Sequence, residues 1–247
     1  SLKLEYFIAE DVPPYAILSH TWEEEEVTYQ DFIAATDDRE SKKGWRKIRR
    51  MCELAKDHWL EYAWVDTCCI DKSSSAELSE AINSMYGYYR ESRVCFAFLS
   101  DWIAHSENEN DLHSCRWFTR GWTLQELIAP MDIIFFDSRF EAGGTKFTLV
   151  EKLSAVTYID MELLFERRLI AEFSVAQKMS WAARRRTTRT EDRAYSMLGI
   201  FDLNVPLLYG EGSKAFRRLQ EEIIRSTTDT SIFAWKLERS FDPGYLP

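Results

Sequence analysis

The hydrophobic positions in the first 137 residues alternate between short apolar runs and longer stretches with apolar residues three and four apart. Short runs of this length are typical of buried strands, and the wider spacing is typical of one face of a helix. The sequence predicts strands at Tyr15–His20, Tyr62–Thr67, Arg93–Asp101 and Met131–Asp137. It predicts helices at 44–59, at 116–129 and after Ser74, which stands three residues before Glu77 as in a capping box.

Two of these helices have a clear apolar stripe. In the stretch 44–59 the stripe comprises Trp45, Ile48, Cys52, Ala55 and Trp59. In the helix after Ser74 the apolar face comprises Leu78, Ile82, Met85 and Tyr89. Four strands with three helices between them indicate an α/β fold, a mostly parallel sheet with helices on both faces.

The second half of the chain has a different pattern. Residues Ala142–Thr145, AGGT, read as a turn or boundary, and helical stretches follow at 147–157, 174–185, 190–200 and 213–224. Residues 231–235, SIFAW, favour a late strand. We therefore expect an α/β core over 1–140 and a mainly helical C-terminal extension over 141–247, packed on that core as part of the same domain.

Polar residues stand at the end of every predicted strand. These pairs are Ser19-His20, Asp66-Thr67, Ser100-Asp101 and Asp137-Ser138. Ligand sites of parallel α/β sheets lie beyond the carboxyl ends of the strands, which predicts one cleft formed by these four ends. The alternative is that strand ends are polar simply because they meet water.

Composition narrows the class of protein. Of the 247 residues 45% are hydrophobic, enough for a substantial core, and a net charge of −10 argues against nucleic acid as the main partner. Five cysteines without zinc-site spacing predict no metal site and indicate reduced thiols in a reducing compartment. No apolar run reaches the length of a membrane span, and no signal peptide is evident, so we expect a cytoplasmic protein. Because the first residue is Ser, we expect a piece of a longer chain, fused to or working with other signalling domains.

Several familiar catalytic patterns are missing from the sequence. There is no phosphate-binding loop and no nucleophile elbow. The stretch Gly210–Lys214 is expected to be a turn that starts a helix. The arginine-rich run Arg184–Arg193 could hold phosphates, or it could be a solvated loop in which arginines pair with Glu191 and Asp192.

Glu126 is the acidic residue whose position decides between structure and chemistry. On a continuous helix over 116–129, Leu124, Leu127 and Ile128 form the core stripe, whereas Glu126 shares another face with Trp122. A large Trp pointing away from the core stripe needs a second covering surface, either the extension or the wall of a pocket. Glu126 is then either a structural acid on the helix or a half-buried carboxylate that does chemistry.

Long motifs distributed over the chain resemble the fungal heterokaryon incompatibility (HET) domain, from about Tyr15 to Trp235. They are PPYAILSHTW, GWRKIRRMCELA, WVDTCCIDKSSSAELSEAINSMYGYYRES, RWFTRGWTLQELIAP, the stretch from SWAARRRTTRTEDRAYSMLGIF to LYGEG, and SIFAW. One departure is Glu23, which stands where SHTW is usually followed by Gly, and it affects the first loop. The resemblance implies a role in programmed cell death during non-self recognition.

The first 137 residues also resemble, more remotely, the Toll/interleukin-1 receptor (TIR) domain, whose sheet is flavodoxin-like. The resemblance is carried by YAILSH, by VDTCCIDKSSSAELSEAI, and by VCFAFLSD followed by SCRWFTRGWTLQEL. In TIR enzymes the Glu of the last motif cleaves NAD, which implies a catalytic role for Glu126. It further implies NAD as substrate, no required cofactor, and homo-oligomerisation on activation.

The remaining candidate residues are assigned to substrate binding. Trp22 or Trp122 would stack on a base, Arg120 would meet a phosphate, and Ser19 and His20 would bind the ribose or the nicotinamide amide. Asp66, at the end of the second predicted strand, is also assigned to substrate binding. The alternative function is a non-catalytic signalling module that acts by homotypic assembly. We favour the enzyme, an NAD glycohydrolase, because the pair Trp122 and Glu126 is expected close to the polar strand ends.

Overall fold

A five-stranded sheet forms the centre of the protein in a computed structural model that describes residues 2–8, 11–34, 37–105 and 111–234. The strand order is β2-β1-β3-β4-β5; the first four strands are parallel, and β5 is antiparallel to β4. The bounds are Tyr15–His20 (β1), Tyr62–Trp64 (β2), Val94–Phe98 (β3), Ile133–Phe136 (β4) and Ala142–Thr145 (β5). The four predicted strands are confirmed, although β2 ends earlier than its apolar run.

The prediction of a turn or boundary at Ala142–Thr145 was wrong, because this segment forms β5. Glycine is disfavoured in strands, which is why AGGT gave no strand signal. The structure supplies a reason for one of the two glycines. A Cβ on Gly143 would lie 2.1 Å from the Trp102 ring, so this edge strand can pass the indole only without a side chain at that position.

Ten α-helices are formed in the described part of the chain. Their bounds are Tyr29–Ile33 (α1), Trp45–Asp57 (α2), Ser75–Glu91 (α3), Asp111–Ser114 (α4), Thr123–Ile128 (α5), Val150–Thr157 (α6), Met161–Leu164 (α7), Val175–Ala182 (α8), Asp192–Tyr195 (α9) and Lys214–Ser226 (α10). Ser74 accepts a hydrogen bond from the Glu77 amide and starts α3, as predicted. The turn at Gly210–Lys214 precedes α10, also as predicted.

Two helical predictions and one strand prediction need correction. Trp59 lies beyond the end of α2 and is 94% exposed, Cys52 is only partly buried, and Met51 and Leu54 complete the buried stripe instead. Residues 116–129 do not form one helix, because a 3₁₀ turn at Arg116–Thr119 is separated from α5 by Arg120 and Gly121. The described residues of SIFAW form a 3₁₀ turn, Thr230–Phe233, instead of a strand, and Trp235 lies outside the described residues.

Both faces of the sheet are covered. Alternating residues of β1 and β3 point to opposite sides, so Ala16, Leu18, Phe96 and Phe98 pack with α2, whereas Ile17, Cys95 and Ala97 pack with α3 and α5. The residues that pack with Ile17, Cys95 and Ala97 include several from the C-terminal extension, among them Val150, Leu153, Ile159, Leu163, Phe173 and Trp181. The extension therefore completes the core on the face of the sheet that carries α5.

All five cysteines carry free thiols. None of the helices in the described part of the chain has the length and hydrophobicity that a bilayer-spanning segment requires.

Candidate functional site

Glu126 lies on α5, a short helix in which all six residues are buried. The Ser19 hydroxyl, at the end of β1, donates a hydrogen bond to Glu126 Oε2 at 2.5 Å. Trp117 Nε1 in turn donates to Ser19 Oγ at 2.8 Å. This chain of hydrogen bonds fixes the carboxyl group at the carboxyl end of β1. Glu126 is thus a buried group, and the interpretation as a solvated helix acid is wrong.

The position of α5 depends on a close approach by the C-terminal extension. The Gly121 amide donates to the Arg186 carbonyl at 2.8 Å, and the Arg186 amide donates to the Thr119 carbonyl at 2.6 Å. A Cβ on Gly121 would lie 2.4 Å from Thr187 Cγ2. Gly121 therefore lets the extension pack directly on the backbone that leads into α5.

Burial raises the pKa of Glu126 to about 8. The hydrogen bond from Ser19 opposes this rise, the negative charge of Asp66 adds to it, and the Tyr89 hydroxyl and the Arg185 guanidinium lower the pKa again. Near neutral pH the carboxyl group of the ligand-free protein is therefore mostly protonated. A positively charged ligand group next to it would favour the ionised form.

A second group of buried polar side chains lies at the ends of β1 and β2. The His20 imidazole is almost completely buried, with Nε2 3.8 Å from Glu26 Oε1 and Nδ1 3.9 Å from Asp66 Oδ1. Neither ring nitrogen makes a hydrogen bond, and Asp66 Oδ1 and Thr67 Oγ1 also lack a protein partner. Burial, together with the charges of Lys47 and Lys72, holds the pKa of His20 well below its ordinary value, so the ring is neutral.

Unpaired buried polar atoms are costly, by about 1–3 kcal/mol each, and native proteins keep few of them. Here they are concentrated beyond the carboxyl ends of two parallel strands, where ligands of α/β sheets bind. A ligand with hydroxyl or amide groups could satisfy them. This concentration of unused hydrogen-bonding capacity distinguishes the site from an ordinary polar surface.

Trp22 forms one wall of the same region. Its Nε1 donates to Asp66 Oδ2 at 2.7 Å, and Lys72 Nζ lies 3.8 Å from the centroid of its ring. The indole is 47% exposed, which leaves a large part of it available for contact with a ligand. Burial raises the pKa of Asp66 although Lys72 and the Trp22 hydrogen bond oppose the rise.

The end of β3 joins this region through Arg116. The Arg116 amide donates to Asp101 Oδ2 at 2.8 Å, and the guanidinium donates to Ser100 Oγ at 3.2 Å and to Glu23 at 3.1 Å. Glu26, in the same acidic loop as Glu23, pairs with the buried Lys47. The first loop is thus tied to the neighbouring strand ends by ion pairs.

The structure brings together five of the seven predicted site residues and separates two. Ser19, His20, Trp22 and Asp66 lie with Glu126. Arg120 instead donates to Thr188 Oγ1 at 3.3 Å, and Trp122 packs against the C-terminal extension, where its indole acts to lower the pKa of Asp192. Trp122 keeps its helical register with Glu126, because its carbonyl accepts a hydrogen bond from the Glu126 amide at 3.4 Å, but its ring packs against the extension; the break at Arg120 and Gly121 precedes Trp122 and separates only Arg120 from α5.

The predicted convergence of four strand ends is found for three. Asp137, at the end of β4, is fully buried and accepts hydrogen bonds from the amides of Ala104, Arg139 and Glu141. The bonds from Arg139 and Glu141 close the hairpin that leads to β5, and the bond from Ala104 ties this turn to the segment after β3. Asp137 is a structural residue, and its own turn uses the hydrogen-bonding capacity that a ligand would need.

The sequence pattern did not identify Trp117, Tyr89 or Arg185 as neighbours of Glu126. Arg185 lies in the arginine-rich run but is only 6% exposed, so neither a solvated loop nor an open phosphate site describes it. The charge of Arg189 acts to lower the pKa of both acids of that run, which also accept hydrogen bonds from groups outside it. Glu191 accepts from the amides of Gly210 and Gly212, and Asp192 accepts from the Tyr209 hydroxyl. Arg185 stands four residues after the buried Trp181, a spacing that could have indicated its burial.

Replacing Ser19 by Ala is expected to destabilise the protein by about 1–3 kcal/mol, because it leaves Trp117 Nε1 and Glu126 buried without this partner. The measurement is urea unfolding at pH 7. The matched control is Ser100→Ala, since Ser100 also ends a strand but its hydroxyl meets the exposed Arg116; its effect should stay within about 0.5 kcal/mol. Equal effects of the two substitutions would contradict the role given to the Ser19 hydroxyl.

The sequence is similar to known incompatibility proteins. The family model described as "Heterokaryon incompatibility protein (HET)" matches residues 15–113, and "Domain of unknown function (DUF8212)" matches residues 214–243. The "Vegetative incompatibility protein HET-E-1" of Podospora anserina is 47% identical over 224 residues, which cover 86% of this chain and 16% of the relative. The chain thus spans about one sixth of the length of that relative. No solved structure matches the chain significantly.

Proposed function

Because the chain carries a domain of the heterokaryon incompatibility (HET) family, we propose that it triggers programmed cell death in fungal non-self recognition. We propose further that it does so by hydrolysing NAD to nicotinamide and ADP-ribose products, with Glu126 as the catalytic residue. The observation that carries the second proposal is the buried Glu126 carboxyl group, bonded to Ser19 among unpaired polar atoms at the strand ends.

The strand order supports a TIR-like origin for this chemistry. The order β2-β1-β3-β4 with parallel strands is that of the first four strands in flavodoxin-like sheets, whose ligands bind beside the first strand. Ser19 and His20 end that strand. The fifth strand departs from the pattern, because β5 follows β4 as an antiparallel hairpin without a crossover helix. The similarity in topology is therefore confined to the first four strands.

Cleavage of NAD requires a negative charge beside the ribose, and the Glu126 carboxylate would supply it. As the bond between the ribose anomeric carbon and the nicotinamide nitrogen breaks, both electrons go to the nitrogen and nicotinamide leaves as a neutral base. Positive charge develops on the ribose, and an ionised Glu126 would stabilise it. Water then bonds to the anomeric carbon and releases a proton.

The unpaired atoms beside Glu126 suit the polar groups of the substrate. The neutral His20 ring can donate from one nitrogen and accept at the other, and Asp66 Oδ1 can accept from a ribose hydroxyl. The exposed face of Trp22 offers a stacking surface for a base. The positive charge of the nicotinamide ring would lower the pKa of Glu126 and so produce the ionised carboxylate at the moment it is needed.

The direct test is to incubate the purified, concentrated protein with NAD and to measure nicotinamide by chromatography. High concentration is required because we propose that activation involves homo-oligomerisation. Nicotinamide release that scales with protein concentration supports the enzyme. If concentrated, assembled protein releases no nicotinamide, the enzyme proposal fails and the non-catalytic signalling module remains.

The value of kcat/KM for NAD cleavage is expected to rise with pH between about 7 and 9. Because burial raises the pKa of the free protein's Glu126 to about 8, the active carboxylate becomes fully populated only above that pH. The midpoint for kcat should lie lower, since the positive charge of bound NAD favours ionisation. Rates measured across this range at limiting and at saturating NAD test both statements. A kcat/KM that falls over the same range would mean that a protonated group is required.

A further inference from the structure

Arg185 is a buried cation that the C-terminal extension places against α5. Its Nη1 donates to the Arg120 carbonyl at 2.9 Å and to Thr123 Oγ1 at 2.8 Å, and its Nε donates to the Trp181 carbonyl at 3.4 Å. Its second terminal nitrogen, Nη2, is buried and has no hydrogen-bond partner in the described structure. These three contacts fix the guanidinium, and Nη2 is left without a partner.

Those contacts are made at the start of the helix that carries Glu126. Thr123 is the first residue of α5, and its hydroxyl also donates to the Trp117 carbonyl at 2.5 Å. Arg185 therefore links the backbone on both sides of the break between the 3₁₀ turn and α5. Because Glu126 follows Thr123 by one helical turn, a shift at this junction would move the carboxyl group away from Ser19.

The charges around Glu126 give Arg185 a second effect. The titratable neighbours that act on Glu126 are Asp66, Tyr89, Cys95 and Arg185. Among them Arg185 supplies the positive charge, which favours the carboxylate, whereas Asp66 opposes ionisation. Burial in turn lowers the pKa of Arg185 to about 9, and the Glu126 charge raises it. Each group thus makes the charged state of the other less costly.

We infer, on the basis of the proposed function, that Arg185 is a positioning residue for the reaction: it fixes the first turn of α5 and holds a positive charge near the Glu126 carboxyl group. The catalytic unit then extends beyond the α/β core, because the helical extension supplies a residue without which the carboxylate is neither placed nor ionised correctly. Arg185 lies outside the part of the chain that resembles TIR domains.

The test is a titration of Glu126 in the full chain labelled with ¹³C at the glutamate carboxyl groups. The Glu126 signal is identified as the one that is lost in Glu126→Gln. In Arg185→Gln the midpoint of this signal is expected to rise by about one pH unit, the effect of removing a nearby opposite charge. The rise of kcat/KM with pH should move upward by the same amount.

The matched control is Arg184→Gln, which removes the same charge from the adjacent residue. Arg184 is exposed and binds the Tyr158 hydroxyl and ring, so its loss should leave the Glu126 midpoint unchanged. If Arg185→Gln lowers the melting temperature but leaves that midpoint unchanged, Arg185 is merely structural and the inference is overturned.

A second variant covers the case in which Arg185→Gln does not fold. Arg185→Lys keeps the positive charge but cannot reproduce the forked contacts. We expect its Glu126 midpoint to stay near that of the unmodified chain while kcat falls; a midpoint raised by a full unit would overturn the inference. The titration does not depend on NAD cleavage, so failure of the proposed function and failure of this inference can be told apart.

Discussion

Replacing Glu126 by Gln is expected to reduce the rate of NAD cleavage by roughly 10²–10³-fold or more, the loss typical of removing one electrostatic stabiliser from a transition state. Gln has the same shape and its amide oxygen can still accept the Ser19 hydrogen bond, but it has no charge to set against the developing ribose cation. Single-turnover nicotinamide release at pH 8 measures the effect. Far-ultraviolet circular dichroism checks that the fold is retained.

The matched control is Glu80→Gln, the same chemical change at an exposed position of α3, which should leave the rate unaltered. Expression of the variants in fungal cells extends the test to function. Loss of both NAD cleavage and cell death in Glu126→Gln, with Glu80→Gln active in both, supports an enzyme. If Glu126→Gln still kills cells while NAD is untouched, cell death proceeds through non-catalytic assembly.

The sheet could be predicted because its signals are local. The strands β1 and β3 are buried on both faces, so their sequences are nearly continuous apolar runs, and the alternation with helices implies parallel pairing. Parallel pairing places all carboxyl ends of the strands on one edge of the sheet. The proximity of Ser19, His20 and Asp66 follows from that rule without any information on side-chain packing.

The orientation of the two tryptophans could not be predicted in the same way. Trp122 keeps the helical register with Glu126 that the pattern assumed, but its ring packs against the extension, whereas Trp117, which precedes the break at Arg120 and Gly121, binds Ser19. The break is held by backbone hydrogen bonds to Arg186, about 65 positions further along the chain. A local periodicity carries no information about such a contact.

Arg185 shows the same limit for charged residues. A run of arginines and acids next to each other is normally solvated, and apart from the spacing of Arg185 four residues after Trp181 nothing in the sequence indicates that one of them is buried against the start of α5. Its partners are a backbone carbonyl and a hydroxyl group, which have no charge pattern to detect. A buried cation that binds neutral groups therefore leaves little trace in a sequence pattern.

The unmodified protein is also expected to lose stability relative to the Glu126→Gln variant as the pH rises from about 5 to 8. Glutamate in an unfolded chain has a pKa near 4.5, whereas burial raises the pKa of Glu126 in the folded protein to about 8. Below pH 4.5 both states hold the proton and the carboxyl group has no pH-dependent effect. Between the two values the unfolded state releases its proton first, so the free energy of unfolding falls as pH rises.

The pH-dependent loss amounts to roughly 5 kcal/mol at most, from 1.36 kcal/mol per pKa unit, and it is complete above pH 8. Glutamine does not titrate, so any cost of burying its amide is the same at every pH. The pH dependence of the difference in free energy of unfolding between the variant and the unmodified protein therefore reports on the Glu126 carboxyl group alone. Urea unfolding of the unmodified protein, Glu126→Gln and Glu80→Gln at several pH values measures it. Parallel curves for the first two would mean that Glu126 has an ordinary pKa in the folded protein. Alternatively, the difference in free energy of unfolding between Glu126→Gln and the unmodified protein widens with pH while NAD cleavage is lost. Glu126 then lowers the stability of the folded protein but is required for the reaction, as expected for a catalytic residue.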